Sequence, residues 1–361
     1  MRLLFTYYVP SGGVETLNRT RCIALMKAGI ETHLLYLQEG AGKQNIADIP
    51  LFISNLDHEI SSLIQTYPYD AIICTSDYLM LPRLRSMGHT GHIIFEAQGF
   101  GMISQARELM GEAAPFIRSY ANAAMCTPTP HLMQLYHEFL SGFPQFFIQN
   151  AVDTETFSSQ RPDNQLEPAH GPVLAWVGRL EKNKNWLLYI ETAVELIKSV
   201  PNLQLWMFED ANLFEPQERA YFDRLVSYYQ LAGRLTVRSN IPHHQMPLYF
   251  SAIDQSGGLL FSTSHVEGFG YAVAEAMSCS CPVLATTSDG VQFFIKHNRT
   301  GKLIMEHNPS LAAMEALELI TASELRDQIK SEGRQHIREH FSPHRYVTDV
   351  FNILRALGLP L

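Results

Sequence analysis

Short runs rich in β-branched and aromatic residues alternate along this chain with longer stretches of helical periodicity. In the first half, residues 3–8, 31–37, 71–75, 92–96, 124–127 and 146–149 read as strands. Helical segments lie between them, such as 14–28 after a Gly-Gly turn and 131–140 after a proline. The run 158–172 (SSQRPDNQLEPAHGP) breaks the alternation; it is polar, proline-rich and poor in apolar residues, and reads as a linker. Alternation then restarts, with strands at 173–177, 203–208, 235–237, 258–261, 282–285 and 302–304. Helices are expected near 186–199, 216–231, 271–278 and 311–320, with a final one over 343–357. Such alternation predicts βαβ units and parallel sheets with helices on both faces. The expected class is α/β, with two consecutive Rossmann-like doubly wound domains. The boundaries fall at 1–157, a linker over 158–172, a second domain over 173–342 and a terminal segment over 343–361. Open parallel sheets bind ligands outside the carboxyl ends of their strands. Two such domains therefore predict an interdomain cleft lined by loops of both.

Composition agrees with this and narrows it. The 361 residues suggest about two domains, and 46% hydrophobic with 17% charged residues is globular material. A net charge of −9 with no Lys/Arg block excludes a basic footprint for nucleic acid. No apolar run approaches the ~18 residues that span a bilayer, and the N-terminal residues read as a strand rather than a signal peptide. The five cysteines, Cys22, Cys74, Cys126, Cys279 and Cys281, form no disulfide framework. Cys279-x-Cys281 has no nearby His to complete a metal site and reads as core packing. A cytoplasmic protein is expected.

Three stretches carry candidate chemistry. In Ser264-His265-Val266-Glu267-Gly268-Phe269-Gly270-Tyr271-Ala272-Val273-Ala274-Glu275, a strand leads through two glycines into a helix. Unpaired N–H groups at that helix start, Gly268 to Gly270, suit a phosphate. Gly270 to Glu275 spans ~7–8 Å at ~1.5 Å per residue, so Glu267 and Glu275 can hold hydroxyls at opposite ends of a ligand. A plain tight turn followed by a solvated glutamate fits the same residues equally well. In Gly178-Arg179-Leu180-Glu181-Lys182-Asn183-Lys184, Arg179 offers a fork of donors and Lys184 a point charge for a diphosphate. A solvated polar loop is the bland alternative. In Pro10-Ser11-Gly12-Gly13, two glycines at the first strand–helix junction can cradle phosphate, although a simple turn explains them too.

In this order these residues resemble the GT-B-fold retaining nucleotide-sugar glycosyltransferases of family 4, the glycosyl transferases group 1 type. The Glu-x7-Glu motif appears as Glu267…Glu275, followed by CPVLAT and Thr300-Gly301-Lys302-Leu303. Gly178-Arg179-Leu180 with Lys184 resembles G-R-L-x-x-x-K, and Asn150-Ala151-Val152-Asp153 with Phe157 resembles the interdomain N-G-V-D-x-x-x-F. The resemblance is dense over 145–305 and looser, though colinear, over 1–145.

It implies a transfer of a hexose-type sugar from a UDP- or GDP-linked donor to an acceptor hydroxyl, with retention. Arg179 and Lys184 would bind the diphosphate, Glu275 the ribose, and Glu267 with Gly268, Phe269 and Gly270 the transferred sugar. Gly12 and Gly13 would approach the phosphates, and the C-terminal helix would cross back to the N-terminal domain. No cofactor is implied. No Asp-x-Asp motif is evident, so a metal-independent reaction is expected. The family's usual setting suggests cell-surface polysaccharide or glycoconjugate synthesis, with a carbohydrate, small-molecule or lipid-linked acceptor and, for the last, peripheral membrane contact. The acceptor would bind the N-terminal domain, where residues 100–103, 104–120, Arg107 and Arg118 are candidates. Gln98 stands where the family often has a donor-contacting His and would itself contact the donor sugar; an amide can hydrogen-bond a sugar hydroxyl but cannot transfer protons. Ala151 replaces a glycine, Asp289-Gly290 replaces a glycine pair, and an acidic residue usual near Gln292 is absent. A catalytically inactive nucleotide-sugar-binding subunit of the same fold is therefore the alternative reading. A hydrolysing epimerase or a phosphorylase on that fold is a third.

Overall fold

A computed structural model describes residues 1–99, 103–160 and 169–360. Two compact units emerge, Met1–Val152 with Phe341–Leu361 and Asp153–His340.

The first unit contains β1 (Arg2–Tyr7), α1 (Gly12–Lys27), β2 (Glu31–Tyr36), β3 (Leu51–Ile53), α2 (Asp57–Thr66) and β4 (Ala71–Thr75). It continues with α3 (Met80–Ser86), β5 (His92–Ala97), α4 (Ile103–Tyr120), β6 (Ala123–Cys126), α5 (Pro130–Phe139) and β7 (Gln145–Phe147). Its sheet runs β3-β2-β1-β4-β5-β6-β7, every pairing parallel. Both faces are covered, which is why the strands are nearly continuous apolar runs. Successive β1 residues take opposite sides, as the two-residue period of a strand requires. Leu4 packs with Ile72, Phe95, Ala113 and Leu135. Leu3 and Phe5 pack with Leu25, Ile73 and the C-terminal helix Pro343–Ala356 through Tyr346, Val350, Ile353 and Leu354. The Val152 N–H donates to the Phe341 carbonyl at 2.8 Å where the chain rejoins this unit.

In the second unit lie β8 (Val173–Val177), α6 (Trp186–Ile197), β9 (Gln204–Glu209), α7 (Pro216–Tyr228), β10 (Leu235–Ser239) and α8 (Met246–Gln255). There follow β11 (Leu259–Ser262), α9 (Tyr271–Ser278), β12 (Val283–Thr286), β13 (Lys302–Ile304), α10 (Pro309–Thr321) and α11 (Ser323–His340). The sheet order is β10-β9-β8-β11-β12-β13, again parallel throughout. Leu174 and Trp176 join Ile190 of α6 and Ala316 of α10 in one core. Each unit is thus doubly wound, as the alternation of the chain predicts.

Details differ from the expectation. The division falls after Val152 rather than after 157, because Phe157 is buried against Phe250 and accepts the Ser278 hydroxyl through its carbonyl. The return point is Phe341 rather than 343. β3 has three residues, too few to display a period, and the polar surface of α11 hid a helix over 323–340. The centre of the expected linker (161–168) and the acceptor-side residues 100–102 lie outside the described residues. Gln160, just before, is tied down by its N–H to the Ser251 hydroxyl at 3.0 Å. Among the described residues no helix is long and apolar enough to cross a membrane.

Candidate functional site

In the second unit the winding reverses between β8 and β11, which are neighbours with β9 and β10 on one side and β12 and β13 on the other. Ligands of open α/β sheets bind outside the carboxyl ends at such a reversal. The loops that leave β8 and β11 there are the two dense motifs, 178–185 and 263–270. They are stitched together. Asn183 accepts from the His265 N–H through its carbonyl at 2.8 Å and donates its amide to the Val266 carbonyl at 3.1 Å. Thr263 donates its hydroxyl to the Lys184 carbonyl at 2.7 Å and accepts from the buried Trp176 indole at 2.9 Å. A Cβ on Gly178 would sit 2.7 Å from that indole ring, so the loop passes over it only as glycine.

These bonds bring Lys184 and Glu267 together: Nζ lies 2.6 Å from Oε1, and the Ser264 hydroxyl donates to the same oxygen at 2.7 Å. Both side chains are less than one-fifth exposed, at 19% and 17%. Arg179 is far more open, with 44% of its side chain exposed and Glu181 at 3.1 Å. The structure thus pairs with each other two residues expected to hold separate parts of one donor.

Gly268, Phe269 and Gly270 carry the chain into α9. Gly270 has a left-handed φ of +91°, where an L side chain is strained, and a Cβ there would meet Val291 at 2.8 Å. Phe269 is buried against the Tyr271 and Phe294 rings. Gly290, the half of the expected glycine pair that this chain keeps, supports the turn: its N–H donates to the Glu267 carbonyl at 2.9 Å, and a Cβ would lie 2.6 Å from the Phe269 backbone. The start of α9 carries the positive end of the helix dipole, and its Val273 N–H already donates to the Gly270 carbonyl at 3.0 Å. Glu275 is not the solvated glutamate of the bland reading; it is buried, and its Oε1 accepts from His243 Nε2 at 2.9 Å.

Three imidazoles here escaped the sequence reading as site residues: His243, His265 and His307. The last two rings lie 4.7 Å apart. Burial, with His307 adding its charge, lowers His265 below the ordinary imidazole value. Cys279 and Cys281 are core residues, and burial pushes the Cys281 thiol up to about 12.

The first unit reverses between β1 and β4. Gly12 opens α1 with φ +67° and, like Gly13, is exposed; nothing approaches a Cβ built on Gly12, so backbone conformation is what calls for glycine there. Gln98 is engaged within the unit. Its Nε2 donates to Glu96 at 3.0 Å and Asn150 at 3.2 Å, and its Oε1 accepts from the Asn150 amide at 2.6 Å. Both carboxylate oxygens of Glu96 in turn accept from Arg21 Nη1, at 2.6 and 2.8 Å, both side chains buried. Arg107 and Arg118, acceptor-side candidates, bind elements of their own unit: Arg107 meets Glu138 and Arg118 the carbonyls of Phe139 and Ser141.

Comparison with known proteins agrees with this geometry. Residues 159–336 match the family model described as "Glycosyl transferases group 1". A trehalose synthase of Pyrococcus horikoshii is 24% identical over 188 residues, 52% of this chain and 44% of that protein. The lipopolysaccharide core biosynthesis glycosyltransferase LpsE of Rhizobium meliloti is 26% identical over 190 residues, 52% of this chain and 51% of that one. The chain spans about half the length of the curated relatives it matches. HepE of Anabaena, solved in complex with UDP-glucose, superposes with a TM-score of 0.82 at 17% identity, covering 99% of this chain and 100% of that one, a likeness of fold. Motif spacing, two doubly wound units and the family match point the same way: residues 159–336 are of the glycosyl transferases group 1 type, carried on a fold similar to the GT-B glycosyltransferases.

Proposed function

We propose that the chain transfers a hexose-type sugar from a UDP- or GDP-linked donor to an acceptor hydroxyl, with retention and without a metal ion. The observation that carries this reading is the Lys184–Glu267 pair beside Arg179, on stitched loops at the carboxyl ends of β8 and β11. The difficult step breaks the anomeric C–O bond while negative charge gathers on the leaving diphosphate. Cations and helix N–H groups fixed before the reaction stabilise that charge more than the ground state. Arg179, Lys184 and the start of α9 serve this end, with Gly178, Gly268 and Gly270 giving the backbone its path. Their charge and the helix dipole do the work a divalent cation does elsewhere. The acceptor oxygen attacks from the face the diphosphate leaves, and its proton passes to a diphosphate oxygen, so that no side-chain nucleophile is required. In this reading Glu267 holds the transferred sugar and Glu275 the ribose. The UDP-glucose bound to HepE supports a uridine donor, and LpsE supports a role in cell-surface glycoconjugate synthesis.

Release of nucleoside diphosphate from UDP- and GDP-sugars tests the reading. Slow donor hydrolysis that survives EDTA and is lost in R179A is the expected result. Loss in EDTA restored by Mg²⁺ contradicts the metal-free step. Gln98 favours a second reading, a nucleotide-sugar-binding subunit without turnover, since both hydrogens of its amide already serve Glu96 and Asn150. Saturable donor binding with no diphosphate release identifies that case.

A further inference from the structure

The loop that leaves β10 carries a side chain that the proposed reaction has not yet used. After Ser239 the chain turns through Pro242 into a short turn at His243–Gln245 that leads into α8. The His243 side chain is 15% exposed, with its Nε2 2.9 Å from Glu275 Oε1. Its ring centroid lies 4.7 Å from that of Phe157, the last residue of the N-A-V-D-x-x-x-F motif. The Phe157 carbonyl in turn accepts the hydroxyl of Ser278, three residues beyond Glu275 on α9. One aromatic residue therefore touches both the imidazole and the helix whose carboxylate the imidazole binds.

A nearly buried carboxylate without hydrogen bonds is expensive, and each of its oxygens accepts more than one donor. One imidazole N–H satisfies a single site on Oε1. It also fixes the torsion of the carboxylate plane, because the imidazole is itself wedged against Phe157. The group that remains is an oriented acceptor pair. A vicinal diol presents two O–H donors at matching separation, whereas a deoxy sugar does not. An interaction held ready in the free protein loses less entropy on binding.

We infer that His243 is a positioning residue for ribose: it holds the Glu275 carboxylate in the orientation that accepts the 2′,3′-diol of the donor nucleotide, with Phe157 as its buttress. This rests on the nucleotide-sugar reading above and adds the origin of ribose selectivity. Replacing His243 should weaken the diol contact alone.

The test is isothermal calorimetry of the full chain with UDP, GDP and ADP and their 2′,3′-dideoxy counterparts, on wild type, His243→Phe, His243→Gln and Glu275→Gln. Wild type is expected to prefer the ribonucleotide it binds at least tenfold over the dideoxy form. Glu275→Gln and His243→Phe should both lose most of that preference while the dideoxy affinity stays unchanged. His243→Gln, which keeps an N–H near the position of Nε2, should recover it. In turnover, His243→Phe should raise the donor KM with kcat little changed, the mark of lost ground-state binding. Equal weakening of ribo and dideoxy forms in His243→Phe makes the residue merely structural and overturns the inference. Retained preference in His243→Phe or Glu275→Gln overturns it too, with nucleotide binding intact. A wild type that binds none of the nucleotides removes the nucleotide-sugar reading, and the inference falls with it.

Discussion

The two units wind their sheets alike, yet they treat charge at the carboxyl edge in opposite ways. Near the reversal of the first unit, Arg21 and Glu96 form a pair whose side chains are 0% and 2% exposed, with Thr75 and Asn18 completing the network. Arg21 also lies 4.1 Å over the Phe5 ring. Near the reversal of the second unit, Lys184 and Glu267 are partly exposed and Arg179 is largely so. A buried pair is neutralised by its own fold and has no charge to offer a ligand. A partly solvated pair keeps its ions in exchange with whatever enters. The same topology thus yields a structural ion pair in one unit and a candidate ligand grip in the other.

The largest effect should come from breaking the buried pair. Arg21→Met leaves Glu96 uncompensated inside the core and should destabilise the first unit by about 3–5 kcal/mol. Thiol alkylation under native conditions localises the damage, because Cys22, Cys74 and Cys126 lie in the first unit and Cys279 and Cys281 in the second, all buried. Burial also pushes the Cys22 and Cys74 thiols up to about 12, so the intact protein should resist the reagent. In Arg21→Met the first three cysteines should react well before the last two; simultaneous labelling contradicts the contrast.

Next in size, removing Arg179 or Lys184 with Ala should lower turnover by roughly 10²–10³-fold, the scale of one lost oxyanion-type donor. Steady-state kinetics on a processed donor checks this, and unchanged rates in both variants break the assignment. Gly290→Ala should follow, displacing the Glu267–Phe269 turn at a cost of about 1–3 kcal/mol by overpacking. Chemical denaturation reads that loss, and a parallel loss of donor affinity ties the turn to the site. Smallest is the stability change in Lys184→Met, at most about 1 kcal/mol for a pair that water reaches. A larger drop in the denaturation midpoint would make Lys184 a structural residue like Arg21.

How much of this was legible in the sequence follows from the range of each signal. The motif stretches 178–184 and 267–275 were readable because strand, glycine and helix follow one another locally, and the helix over Tyr271–Ser278 is as the periodicity predicts. The pairing of Lys184 with Glu267 was not, since it joins residues 83 apart in the chain. Arg21 carries no signal in the sequence; its partner Glu96 is 75 residues away, and only the strand order brings them together. His243 carried no spacing signal at all and became visible only through its contact with Glu275. Asp289-Gly290 departs from the family's glycine pair at Asp289 alone, and the backbone of Phe269 explains why Gly290 is kept: it leaves room for nothing larger. Gln98 was read as a ligand contact because of its position, but its partners Glu96 and Asn150 could not be foreseen.

The most direct measurement is calorimetric titration of the full chain with UDP and GDP, wild type beside R179A and K184A, with melting temperatures recorded for each. Saturable binding by wild type, weakened at least tenfold in both variants at unchanged melting temperature, is the expected result. Equal affinity in all three proteins, or no binding by any, contradicts a diphosphate grip at the β8–β11 reversal.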